Sequence, residues 1–161
     1  MQTNANADDR AVATALDGVI VRGERNMLAD AAAPGIAGAR AALETFYHAF
    51  NTRSLDLLRQ IWADDPLAQL DTPLAGSVRG SAAIAAGYAR MFSGSVRVQT
   101  MLDDIVAYVT PELVVFTERE RGTYTHDSEH EAKSEVSEGR TICVFRFIAQ
   151  QGGWRLVYHR V

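Results

Sequence analysis

Several residues have types and spacings that suit chemistry. Glu118-Arg119-Glu120-Arg121 puts four charges in a row inside a stretch rich in β-branched and aromatic residues. Side chains of a strand alternate, so both glutamates share one face and both arginines the other. One pair must point inward or toward a partner, and parity does not choose which. If the arginines line a pocket, Arg119 or Arg121 with Arg140 forms forked donors for an anionic ligand. If they do not, the charges pair across neighbouring strands. Asp71, at the end of Leu70-Asp71, is the candidate catalytic base. At the rim of an apolar pocket desolvation raises a carboxyl pKa, which suits proton abstraction. Its alternative role is to cap the turn that Thr72 and Pro73 begin.

Other candidates are weaker. His126-Asp127-Ser128-Glu129-His130 matches an inverted zinc-protease pattern. That chemistry needs both histidines on one helix face, whereas Thr123-Tyr124-Thr125 just before it is strand-like. No metal is expected there, and no cofactor motif occurs in the chain. Cys143 is the one cysteine, so no internal disulfide forms, and it reads as a small core residue. His159 beside Arg160 suits surface or pocket equally. Among the aromatic residues, Trp62, Tyr88 and Phe92 fit a pocket lining, and Tyr47, at the edge of a helical stripe, fits its mouth. Buried Tyr and Trp need partners for their polar tips.

These residues need elements to hold them. The 161 residues suffice for one domain with a substantial core. Ala39, Ala42, Leu43, Phe46, Ala49 and Phe50 recur at three- and four-residue steps, which predicts a helix over 36–51. Ser54 caps a second over 55–62, and Ser81 a third over 82–92. After Gly94 the period changes, and strands are expected over 96–110, 112–125, 141–149 and 154–161. Residues 126–139 read as a long polar connection. Pro34-Gly35 sets off residues 1–33 as an arm or short helix, expected to be dispensable for folding, from a domain at 34–161. Helices followed by strands argue an α+β fold, with helices on one face of an antiparallel sheet.

A net charge of -4 with no basic face argues against nucleic acid. No apolar run reaches membrane-spanning length, and the first ten residues lack a secretory pattern. A cytoplasmic location is the expectation.

Trp62-Ala63-Asp64-Asp65, Leu70-Asp71-Thr72-Pro73, Gly80, Ile84 and the ending Gly152-Gly153-Trp154-Arg155-Leu156-Val157-Tyr158 resemble the nuclear transport factor 2-like superfamily, in the branch of SnoaL-like cyclases and ketosteroid isomerases. The resemblance covers residues 36–161. It implies a cone-shaped fold, three helices closing a curved sheet around a pocket, and a homodimer formed through the sheet. It implies a small apolar or anionic ligand, and it places Asp71 where the isomerase base stands. Phe46 stands where that mechanism has a tyrosine donor and Cys143 where it has a protonated acid, so steroid isomerisation by that set is not implied. Arg160 replaces a pocket histidine near the end of the last strand. Calcium/calmodulin-dependent kinase association domains share the scaffold and carry a basic pocket of the kind Arg119, Arg121 and Arg140 would make. One scaffold hosts isomerases, cyclases and non-catalytic modules. Two functions therefore stand side by side: a binding module, or a cofactor-independent acid-base enzyme.

Overall fold

The computed structural model describes residues 11–126 and 133–161. Strand β1 spans Val12–Ala15, helix α1 Gly35–Asn51 and helix α2 Leu55–Ile61. Strands β2 (Gln69–Thr72) and β3 (Gly76–Arg79) form a hairpin before helix α3 (Ser81–Ser93). Four strands follow: β4 Val96–Val109, β5 Leu113–His126, β6 Lys133–Ile148 and β7 Gly153–Arg160. They make one seven-stranded sheet in the order β1-β4-β5-β6-β7-β2-β3. All neighbours are antiparallel except β2 and β7. Three helices cover one face, giving the expected α+β cone. No helix among the described residues is long and apolar enough to cross a membrane.

The helical stripe of α1 is the centre of the core: Ala39, Ala42, Leu43, Phe46 and Ala49 are buried. Its start lies hard against β7 and the short 3-10 turn at Asp30–Ala32. A Cβ on Gly38 would sit 1.8 Å from the Ala33 carbonyl oxygen, so only glycine permits this approach. Its end is fixed by Asn51. The Asn51 amide oxygen accepts from the Thr100 amide (2.9 Å) and hydroxyl (3.0 Å), and its NH2 donates to the carbonyls of Thr100 and Arg22. The second helix is capped as expected, Ser54 accepting from the Leu57 amide. The third is entered through Gly80, at φ 90°, and Ser81 is its first residue rather than its cap.

Two expectations change. Residues 133–139 are not a connection. They continue β6, paired with β5 from His126↔Lys133 to Glu120↔Gly139. A polar composition hides a strand whose partner supplies the backbone hydrogen bonds. The arm is also more than a surface appendage. β1 adds an edge strand to β4, Val21 bridges Leu102, and Ala31 is fully buried. Glu44 accepts the amides of Gly23, Glu24 and Arg25, Thr45 accepts that of Met27, and the Trp154 indole donates to Ala33. Dispensability does not follow from such anchoring.

Two stability measurements check this account. Asn51→Ala strips partners from groups on β4 and the arm, and should cost about 3 kcal/mol in urea denaturation. Deleting residues 1–33 should lower the melting temperature sharply, because it removes buried Val21 and Ala31 and takes away the partners of Leu102 and Trp154. An unchanged melting temperature would return the arm to a dispensable role.

Candidate functional site in the cone

The face of β5 that meets α1 carries Val114, Phe116, Glu118 and Glu120. The first three are completely buried. β5 and β6 pair Glu118 with Thr141 and Phe116 with Cys143, and β6 and β7 pair Cys143 with His159. Glu118, Thr141, Cys143 and His159 therefore form one inward-facing group. The Thr141 hydroxyl donates to Glu118 Oε1 at 3.0 Å, and Phe116↔Cys143 pairing sets the Cys143 thiol on the same inward face. Among the described residues, Glu118 Oε2 has no hydrogen-bond partner. Cys143 Sγ lies 3.2 Å from His159 Nδ1, which is also 3.1 Å from the Ile142 carbonyl oxygen. That carbonyl can only accept, so it favours the tautomer with the proton on Nδ1. From α1, the Tyr47 hydroxyl donates to Glu120 Oε2 at 2.7 Å. Phe46 and Tyr47 meet the His159 ring edge-on, at 5.1 and 6.3 Å.

Burial dominates the electrostatics. It pushes Glu118 up to about 8, against the weaker pull of the Thr141 hydrogen bond. It raises Glu120 too, with the Tyr47 bond opposing, and lowers His159 to about 4. Cys143 is raised by burial and by Glu118, so the thiol is protonated and not a ready nucleophile. Near neutral pH the group holds a protonated carboxylic acid, a neutral imidazole and a second carboxyl that receives a tyrosine hydroxyl.

A family model for the SnoaL-like domain matches residues 39–161. The chain belongs to that family. Solved structures share the fold of this SnoaL-like chain. A nuclear transport factor 2-like superfamily protein from Salmonella enterica serovar Typhimurium has a TM-score of 0.65 and 19% identity, over 74% of this chain and 83% of that one. A ketosteroid isomerase-like protein from Erwinia carotovora atroseptica has a TM-score of 0.61 and 17% identity, over 75% and 89%. A candidate calcium/calmodulin-dependent protein kinase type II association domain from Thiobacillus denitrificans has a TM-score of 0.58 and 29% identity, over 75% and 90%. Comparison with curated proteins finds no match.

The SnoaL-like domain divides the residues singled out from the sequence between two faces. Tyr47, Trp62 and Tyr88 are buried on the helix side, and among the described residues Trp62 Nε1 has no hydrogen-bond partner. Phe92 closes an aromatic group with Phe50 and Tyr88, at ring distances of 5.9 to 6.2 Å. Arg119, Arg121 and Arg140 lie on the opposite face. Arg119 makes a forked pair with Asp103 at 2.6 and 2.9 Å. Arg121 pairs with Asp103 and Glu138, and Arg140 with Asp104. The arginines are thus kept out of the cone by the same alternation that brings the glutamates in.

Asp71 is also outside. Its neighbour Leu70 is buried and pairs with His159, whereas Asp71 pairs with exposed Arg160. The Tyr158 hydroxyl donates to it at 2.8 Å and the Gln69 amide at 3.0 Å. The Tyr158 bond is the main reason its pKa is lowered, the reverse of the shift a desolvated base needs. The turn beyond it is capped by Thr72, which accepts the Ala75 amide. Of the His126–His130 pattern only exposed His126 is among the described residues. The grouping of Glu118, Glu120, Cys143 and His159 was not assembled from sequence.

Glu118 gives the domain a specific pH dependence. Its ordinary value is 4.5 and its folded value about 8. The stability held by the uncharged acid is complete below pH 4.5 and is lost as pH rises to about 8, by at most about 1.4 kcal/mol per pH unit. Glu118→Gln mimics the protonated acid and removes this slope. In urea titrations across that range the variant should gain on the native protein steadily, and should exceed it at pH 8. Parallel curves would mean that Glu118 is ionised in the folded state.

Proposed function

We propose that this SnoaL-like domain binds a small, mainly apolar, uncharged molecule in the cone, oriented by Tyr47, Glu120 and Glu118. The observation that carries the reading is Glu118, fully buried with one carboxyl oxygen unpartnered. A buried polar atom without a partner is costly, and a ligand hydroxyl or carbonyl would remove that cost. Trp62, Tyr88 and Phe92 supply apolar walls. An anionic ligand fits this interior poorly, because the burial that keeps Glu118 uncharged also penalises a buried anion.

One observation favours a second reading, acid-base catalysis without a cofactor. The two carboxyls sit in different environments, Glu118 raised to about 8 and Glu120 joined to Tyr47. Such separation assigns an acid and a base. Glu118 would donate the proton and Glu120 accept one, the role first expected of Asp71. The ketosteroid isomerase-like name of one structural neighbour agrees with chemistry of this class.

The same reading makes the protein a cytoplasmic homodimer paired through the outer sheet face. Val115, Ile142, Val144 and Tyr158 lie half-buried there, beside the arginine and aspartate pairs.

Two experiments test the reading. In a thermal-shift screen of uncharged metabolites, hits should raise the native melting temperature and shift Glu120→Gln and Tyr47→Phe at least about tenfold more weakly in affinity, near 1.4 kcal/mol. Hits that act equally on all three proteins place the ligand elsewhere. Light scattering at micromolar concentration should give twice 17.6 kDa, and Val144→Glu should give the monomer. A native monomer rejects the dimer.

A further inference from the structure

A second concavity lies outside the cone, between the arm and the first half of α1, with a volume of about 340 Å³. That is within the size range of small-molecule sites. Its floor is apolar, built from Val19, Val21, Met27 and Ala41. Its rim carries Arg22, Arg25 and Arg40, all exposed. Among the described residues, no hydrogen bond or ion pair engages any of these guanidinium groups. Arg119, Arg121 and Arg140 are paired with carboxylates; what sets Arg22, Arg25 and Arg40 apart is that all three border one groove.

Two carboxylates share the groove, Glu24 and Glu44. Glu44 is already committed, its oxygens taking three backbone amides of the arm. The first turn of α1 holds no acidic residue. The amide bonds hold Glu44 in place without cancelling its charge, so three cations face two carboxylates and the groove keeps a surplus of one positive charge above an apolar floor.

We infer that this groove binds a soluble amphipathic carboxylate, its head on Arg22, Arg25 and Arg40 and its aliphatic body on Val21, Met27 and Ala41. Forked guanidinium donors match a carboxylate, and burying the tail supplies affinity that exposed charges alone do not. The site is separate from the cone and does not depend on what the cone binds.

Octanoate is the probe, followed by amide NMR on the full chain, with octanol and inorganic phosphate as separate arms. Octanoate should give saturable shifts centred on Val21, Met27 and Ala41, while octanol and phosphate each bind at least about tenfold more weakly. Replacing Arg22, Arg25 and Arg40 together by Ala should weaken octanoate at least about tenfold. Arg40→Gln alone should act in the same direction and serves if the triple variant does not fold. Glu120→Gln should leave octanoate binding unchanged, which separates this site from the one in the cone. The inference is overturned by octanol binding as well as octanoate, by shifts centred on Glu118 and Glu120, or by arginine variants that bind normally. Association with phosphatidylserine vesicles without any response to octanoate also overturns it.

Discussion

The side chain of Asn51 holds three parts of the molecule at one point. Its two polar atoms meet backbone and hydroxyl of Thr100 on β4 and the Arg22 carbonyl of the arm. An amide has two donors and an acceptor oxygen, and here none is spent on water. With the far end of α1 fixed against Ala33 through Gly38, the helix has neither rotation nor slide left to it. Tyr47 is one turn before Asn51, so the same clamp sets the 2.7 Å bond between Tyr47 and Glu120. The arm, the helix and the interior acids thus depend on one another.

The second constraint is side-chain alternation along β5. One face must bury against the helices, and Val114 and Phe116 decide which. Glu118 and Glu120 follow them inward by parity, and Arg119 and Arg121 go outward to meet Asp103 and Glu138. The cost of burying Glu118 is reduced by protonation and by the Thr141 hydroxyl. An interior acid is tolerated because it can discard its charge.

Much of this was legible in the sequence, and the failures have definite causes. The three helices are marked by their apolar stripes and stops, and the run of strands by its change of period. The alternation of Glu118 to Arg121 was visible, but its sense depends on knowing that 114 and 116 face the helices. The meeting of Cys143 with His159 depends on a bulge. Counting from the Gly152-Gly153 turn, with Ile148 opposite Gly153, sets Cys143 opposite Tyr158. The register shifts after Phe145↔Leu156, where Val157 is the extra residue, and this turns His159 inward and Tyr158 out toward Asp71. A sequence does not announce such a residue. The resemblance sets Asp71 at the pocket rim, where the isomerase base stands, while the pairing of Leu70 with His159 turns it to the outer face. The strand at 133–139 was hidden by its polarity.

The pairing of β2 with β7 also bears on how the chain reaches its fold. β2 and β3 are neighbours in sequence and close on each other locally, but their place on the sheet is the edge of β7. That edge is made by residues 158–160, and the Val161 amide adds a last bond to the Asp71 carbonyl. Parallel contacts over so long a span carry a large loop-closure cost and form late. During synthesis the hairpin of β2 and β3 and the helix that follows it have no sheet to dock on until β7 emerges. Leu70 and Ile84, buried in the finished cone, stay uncovered for that interval, which leaves this stretch open to aggregation until the last strand is made.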